Sequence, residues 1–242
     1  MNAVTEMLRD LVVANRILAH EDVCDAFGHV SIRHPENSER FFLSCSRSPE
    51  LVMPSDLIEY DLDCVALSDV AGREQYSERP IHGAIYRLRS DVHAIVHSHA
   101  YAVIPFASSK GATLQPILSN AARIGTRVPV WDIRDHFGDT NLLVVTLEQG
   151  HDLASCLGHN TAALMRGHGA IVAADSLYSA VHSAIYLKIN ATLQAEAMRL
   201  GEPVFLSDGE IAEIRKIRHS RKSRNWEYWA QRSGATEIVW EV

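Results

Sequence analysis

Three short stretches of this chain carry side chains suited to holding a metal ion. The first is His97-Ser98-His99, in the run AIVHSHA. Side chains at i and i+2 of a strand share a face, so two imidazoles there can meet one ion. The run puts the pair at the end of an apolar strand, where open α/β sheets often hold their sites. Chance is the alternative reading, because 13 His in 242 residues readily produce an H-x-H. The second stretch is Gly167-His168-Gly169. Glycines on both sides let the backbone turn tightly and approach another element, which suits a third ligand. An ordinary loop histidine between turn glycines reads the same way. The third is Glu78 in YSERPIHGAIYR. A carboxylate just ahead of a helix either favours the helix N-terminus or serves as a fourth ligand or an acid/base beside the metal. Together Glu78, His97, His99 and His168 would make a site of three His and one carboxylate. Such donors fit Mn²⁺, Zn²⁺, Fe²⁺ or Co²⁺ without choosing among them.

The elements that must position these residues follow from periodicity. Val4, Leu8, Leu11, Val12, Ala14 and Leu18 predict a helix over 4–19. Gly28–Arg33 and Phe41–Ser44 read as strands around the turn HPENSE. Met53-Pro-Ser-Asp reads as a helical turn capped by Ser55 or Asp56, and Leu57–Asp61 with Val65–Leu67 as a hairpin around Asp63. Pro80 suits a first helical turn, and Ile81, Ala84, Ile85 and Leu88 carry that helix over 80–89. Ala94–His97 and Leu142–Thr146 are expected to be strands, and His99–Ala107 helical. Ala162–Met165 and Ala170–Ala173 are apolar runs on either side of the Gly-His-Gly turn. A long helix, capped by Ser176 or Asp175, runs to about Leu200 with Gly201 as its stop. The tail from Asp208 is expected to be helical, with Trp226, Tyr228 and Trp229 as packing residues. Strands and helices interleave, so the class is α/β or α+β. No repeat or linker divides the chain, and one domain over 1–242 is expected.

Composition excludes several functions. Hydrophobic residues make up 47% and charged residues 22%, ordinary globular values that exclude disorder and collagen-like structure. A net charge of −7 argues against general nucleic-acid or anionic-membrane binding. No apolar run reaches the roughly 18 residues that span a bilayer. The first twenty residues carry Glu6, Arg9, Asp10 and Arg16 through their apolar pattern, unlike a signal peptide. Cys24, Cys45, Cys64 and Cys156 form no C-x-x-C pair and read as reduced thiols of a cytoplasmic protein.

The order Glu78 … HGAIYRLRSDVHAIVHSHA … MRGHGAIVA resembles the class II aldolase/adducin family. The resemblance runs from the GHVSIR strand to the helix after Gly169. It implies an α/β/α domain around a mostly antiparallel sheet, a homotetramer, and a divalent metal held by His97, His99 and His168 with Glu78 close by. Adducin-type members, which are non-catalytic modules, lack the metal residues that this chain keeps. The sugar-phosphate aldolases of the family cradle phosphate with a Gly-Asn pair, a Ser-Gly loop and a Ser-Ser pair. At the matching positions this chain has Gly28-His29, Ser44-Cys-Ser-Arg-Ser-Pro and Tyr76-Ser77. Only part of a phosphate cradle survives, and His29 and Arg47 are added. An arginine can hold a carboxylate through a bidentate fork.

The stretch SRSPELVMPSDLIEYDLD is more similar to the branch of hydroxy-methylpyridine-dicarboxylate and dihydroxyphthalate decarboxylases. That likeness implies metal-dependent, non-oxidative decarboxylation of a small hydroxylated aromatic or pyridine acid. Glu78 and His29 would then be the catalytic groups, and Gly28, His29, Ser46, Arg47 and Ser77 the substrate contacts. A metal-dependent aldolase is the alternative, and an iron oxygenase a more remote one. Arg79, His82, Tyr86, Arg123 and Arg127 are further polar candidates, whose other reading is ordinary solvation. In a tetramer the C-terminal segment would be placed to close a neighbour's site.

Overall fold

Alternation along seven short strands builds a sheet with two apolar faces, and helices cover both. The computed structural model describes residues 3–70, 72–217, 220–221 and 223–238. The strands are β1 (His29–Arg33), β2 (Arg40–Ser44), β3 (Leu57–Asp61), β4 (Ala94–Ser98), β5 (Val130–Trp131), β6 (Ala162–Met165) and β7 (Gly169–Ala174). Their order across the sheet is β3-β2-β1-β4-β7-β6-β5. Every neighbouring pair is antiparallel except β5–β6. The helices are α1 (Ala3–His20), α2 (Pro80–Leu88), α3 (Ile104–Ser108), α4 (Arg134–Phe137), α5 (Leu147–Leu157), α6 (Leu177–Leu200), α7 (Asp208–Ile214) and α8 (Arg224–Arg232). The chain is therefore one α/β domain with a mostly antiparallel central sheet.

On one face Val30, Val96, Ala170, Val172 and Leu164 pack beneath α1 and α6. Trp226 and Trp229 of α8 join that core, so this chain's tail packs on its own domain. On the other face Phe41, Leu43, Ile95 and Ile171 pack beneath α2 and α5, with Ile81, Ile85 and Leu153 as the helix partners. His29, Ser31 and His97 take the strand positions of this second face. With Arg33 on the same face of β1 and His82 on α2, polar side chains thus enter a largely apolar layer.

Most boundaries agree with the periodicity to within a residue or two. Ser176 caps α6 by accepting from the amide of Ser179, and Gly201 follows its last residue. Four expectations need correction. The 99–107 segment is a 3₁₀ turn, Tyr101–Val103, followed by α3, because Pro105 has no N–H to donate to Tyr101 one turn back. Val65–Leu67 does return antiparallel to β3 around Asp63, with Asp61 N–H donating to the Val65 carbonyl and Leu67 N–H to the Glu59 carbonyl. It makes a single bridge, Ala66 to Tyr60, and not a full strand, while the Asp61 carboxylate takes the amides of Asp63 and Val65. The tail is two helices, α7 and α8, with residues 218, 219 and 222 outside the description.

Leu142–Thr146 is no strand: Leu142 bends the chain with φ +68° and the residues after it are unpaired, for a reason visible in the hydrogen bonds. Leu142 N–H donates to Thr140 Oγ1, Leu143 N–H to Asn141 Oδ1 and Val144 N–H to Glu78 Oε1. The amides of Val145 and Thr146 both donate to Gln149 Oε1, in a capping box that starts α5. Side chains have taken every donor that a neighbouring strand would need. β5 and α5 were not expected from periodicity. Among the described residues no helix is long and apolar enough to cross a membrane, and the four cysteines are unpaired.

Candidate metal centre

The centre forms where β4 ends beside the start of β7. His97 is the last residue but one of β4, opposite His29 on one side and Ile171 on the other. His99 lies just past the strand end. His168 sits on the turn into β7, between Gly167, which adopts φ +67°, and Gly169, which must be small. A Cβ on Gly169 would fall 2.1 Å from the Ser98 carbonyl oxygen, so β7 runs against β4 more closely than any side chain allows. Gly169→Ala is therefore expected to lower stability by about 1–3 kcal/mol through overpacking. It should also spread the cluster. Thermal unfolding together with metal content would check both effects, and a wild-type melting temperature would refute this account of the turn.

Glu78 precedes Pro80 at the start of α2, yet its carboxylate does not cap that helix. Oε1 accepts from the amide of Val144 at 3.0 Å. Oε2 faces the Nε2 atoms of His97 and His168 at 3.5 and 3.6 Å. His99 Nε2 lies 3.1 Å from His97 Nε2 and 3.0 Å from His168 Nε2. One donor atom from each of the four residues lies within 4.8 Å of all the others.

This donor set fits a divalent ion. His97 Nδ1 faces the Ala170 carbonyl at 3.2 Å and His168 Nδ1 faces the Leu142 carbonyl at 2.8 Å. A carbonyl only accepts, so both hydrogens sit on Nδ1 and both Nε2 atoms present lone pairs. Two such lone pairs, a third imidazole nitrogen and a carboxylate oxygen converge. One hydrogen on His99 cannot bridge them all, whereas a cation can. Two nitrogens bound to one ion at ~2.1 Å lie roughly 3.0–3.4 Å apart, which the observed pairs match.

The electrostatics agree. Burial opposes charge on Glu78, but His97 and His168 outweigh it and hold the carboxyl well below its usual range. Burial, then His97 and His168, push His99 down to about 4. The cluster therefore offers a carboxylate and an uncharged His99 at neutral pH.

The cluster opens into a cavity of about 350 Å³ lined in part by Gly28, His29, Ser46, Arg47, Ser77 and Glu78. That volume lies within the ~300–1,000 Å³ of small-molecule sites. All the residues named from the sequence as substrate contacts line this one space.

A family model, Class II Aldolase and Adducin N-terminal domain, matches residues 9–195. The chain belongs to this family. Decarboxylase tropJ of Talaromyces stipitatus is 30% identical over 247 residues, covering 93% of this chain and 92% of that one. The 3,4-dihydroxyphthalate decarboxylase of Arthrobacter keyseri is 29% identical and covers 84% of each chain. Among solved structures, L-fuculose 1-phosphate aldolase from Glaciozyma antarctica PI12 superposes with a TM-score of 0.75 at 23% identity. It covers 98% of this chain and 94% of that one, and the likeness establishes the shared fold.

Within this class II aldolase frame, the remaining candidates separate. Arg47 reaches the cavity with its Nε 3.5 Å from Asp56 Oδ2, an ion pair that steadies the guanidinium. The Tyr76 hydroxyl donates to the Arg47 carbonyl and holds the same loop, and the Tyr76 ring lies 4.5 Å from that of His29. Arg79 turns away to the Cys64 and Tyr76 carbonyls. Arg123 bonds the Ile217 carbonyl, away from the cluster, and Arg127 is exposed. His82 and Tyr86 are not solvated but fully buried, in a hydrogen-bonded row with His29 and Ser31. Ser31 carried no signal in the sequence. Its place on the His29 face of β1, two residues on, is the only pointer that was available.

Proposed function

We propose that this chain catalyses the metal-dependent, non-oxidative decarboxylation of a hydroxylated aromatic or pyridine carboxylic acid, with a di-acid as its preferred class. The observation that carries the reading is the cluster of Glu78, His97, His99 and His168 opening into a cavity shared with Arg47 and His29. The likeness to two decarboxylases over most of their length supports it.

Glu78, His97, His99 and His168 would hold the ion, which is Mn²⁺, Zn²⁺, Fe²⁺ or Co²⁺ by ligand type. When bound, it acts as a Lewis acid, stabilising negative charge on an oxygen beside the carbon–carbon bond that breaks. Three neutral imidazoles and one carboxylate leave a divalent site with a net positive charge, which favours an anionic substrate. Arg47 holds a second carboxylate with the guanidinium nitrogens that Asp56 leaves free. The hydroxyls of Ser46 and Ser77 complete the polar wall, and the Tyr76 ring sets the position of His29. Glu78 relays the proton of the ring hydroxyl to the ring carbon from which carbon dioxide departs. The bonding electrons fall back into the ring, so no oxidant is consumed. Water restores the hydroxyl proton.

The test is carbon dioxide release. Metal-depleted protein would be reloaded separately with Mn²⁺, Zn²⁺, Fe²⁺ and Co²⁺. Each form would be given a panel of ortho-hydroxy aromatic and pyridine di-acids under anaerobic conditions. The expected result is metal-dependent release with a matching decarboxylated product. No release from metal-replete protein would overturn the reading. The serine hydroxyls in the cavity favour a second one, aldol cleavage of a small hydroxy-carbonyl compound that can carry a phosphate. Retro-aldol products from sugar phosphates, with no carbon dioxide from the acids, would select it.

A further inference from the structure

Beneath the cavity four buried side chains form an unbroken hydrogen-bonded row. His29 Nδ1 is 2.7 Å from His82 Nε2, His82 Nδ1 is 2.6 Å from Ser31 Oγ, and Ser31 Oγ is 2.8 Å from the Tyr86 hydroxyl. The row joins two elements by their periodicities. His29 and Ser31 alternate on one face of β1, and His82 and Tyr86 stand one turn apart on α2. None of the four is more than 2% exposed. His29 lines the cavity, and with Nδ1 turned to His82, Nε2 is its nitrogen left for a ligand.

Such a row has a direction, because each contact needs one donor and one acceptor. Suppose His29 donates from Nδ1. His82 must then donate to Ser31, and Ser31 to Tyr86. The Tyr86 hydroxyl hydrogen is left buried with no acceptor among the described residues, since Ser31 is its only partner there. If Tyr86 and His82 both donate to Ser31, the serine hydrogen is stranded instead. In the opposite direction Tyr86 donates to Ser31, Ser31 to His82 Nδ1, and His82 Nε2–H to His29 Nδ1. Every hydrogen then has an acceptor, as buried polar groups require. The only hydrogen left for His29 is on Nε2, facing the cavity.

We propose that His82, Ser31 and Tyr86 are positioning residues that lock His29 as the Nε2–H tautomer, making it a neutral hydrogen-bond donor to an anionic oxygen of the substrate. The inference rests on the decarboxylase reading only for the identity of that oxygen, a carboxylate or ring oxyanion of the acid. His29 keeps its hydrogen throughout. A fixed, water-excluded donor aimed at developing charge acts without reorganising. A charged imidazolium would set an N–H against the N–H of His82, so the row favours donation over proton transfer.

The tautomer can be read directly. Zinc-loaded and metal-free protein, labelled with ¹⁵N-histidine, would be measured by long-range ¹H–¹⁵N correlation, with His29→Asn assigning the His29 ring. The expected spectrum has a protonated Nε2 and an unprotonated Nδ1. Ser31→Ala removes the donor to His82 Nδ1 and should move His29 toward the Nδ1–H form. In that variant kcat falls by about 10²-fold, the usual effect of losing one preorganised donor, while KM and bound zinc stay within twofold. Ser31→Thr, which keeps a hydroxyl, restores both tautomer and rate. Tyr86→Phe keeps the ring and loses only the terminal donor, so it should give a mixture of tautomers even if Ser31→Ala fails to fold. An Nδ1–H ring in the wild type, or an unchanged tautomer in both variants, would overturn the proposal. The spectra need no substrate. Absence of carbon dioxide release would sink the decarboxylase reading and leave the tautomer result standing by itself.

Discussion

His97→Ala is expected to abolish metal retention and turnover together. His97 is fully buried at the end of β4, and its Nε2 lies 3.1 Å from His99 and 3.5 Å from Glu78. It is the ligand whose backbone belongs to the centre of the sheet, so no loop movement can bring a replacement. Lewis-acid stabilisation is worth several kcal/mol, and each 1.36 kcal/mol is tenfold, so turnover should fall by about 10³-fold or more. The alanine also leaves a cavity beneath α2. His97→Asn, closer in volume, separates the two effects: it should lose metal equally while unfolding nearer the wild-type temperature. Metal analysis, carbon dioxide release and thermal unfolding on both variants make the comparison. A metal-free His97→Ala protein with full activity would end the metal reading.

Glu78→Gln should separate fold from function more sharply. The amide oxygen can still accept from Val144 N–H, and the side-chain volume is unchanged. Its –NH₂ group, however, can donate to the lone pairs of His97 and His168 that the carboxylate oxygen faces. The amide nevertheless gives up the attraction by which His97 and His168 hold the Glu78 carboxyl below its usual range, so the metal-free variant is expected to fold but to melt below the wild-type temperature. Zinc is expected to raise the melting temperature of the wild type, and that rise should shrink in the variant, because stabilisation by a ligand follows its affinity. Turnover falls by about 10²–10⁴-fold, the range for loss of a positioned acid or base. Wild-type turnover in this variant would remove Glu78 from the proton path.

The four residues of the cluster were legible because their spacing reports backbone geometry. His97 and His99 share a strand-end face, and the glycines around His168 announce a turn under close packing. The decision about Glu78 lay outside sequence reach. Whether it caps α2 or faces the histidines depends on Val144, 66 residues away. Leu142–Thr146 misled for the same reason: its apolar composition is that of a strand, and only tertiary contacts show its donors to be occupied. His82 and Tyr86 carry the i, i+4 pattern of any helix face. Nothing in that pattern distinguishes a solvated pair from one buried against β1. Ser31 is a common residue in a common strand. Short-range pattern thus gave most of the paired strands and the candidate residues of the cluster, while β5, the role of Glu78 and the supporting hydrogen bonds, which join distant segments, needed the fold.

The unpaired segment before α5 grips the centre twice with main-chain atoms: the Leu142 carbonyl holds His168, and the Val144 amide holds Glu78. Neither grip uses the side chain of Leu143, whereas Leu142 and Val144 pack into the core and fix the backbone that makes them. Leu143 stands between them and lines the cavity. The molecule therefore keeps its ligand scaffold and its substrate-facing wall on the same three residues but in different currencies, backbone for one and side chain for the other. Exchange at position 143 can reshape the cavity without loosening the residues of the cluster. Divergence toward new substrates is open at this point on terms that a scaffold built from side chains would not allow.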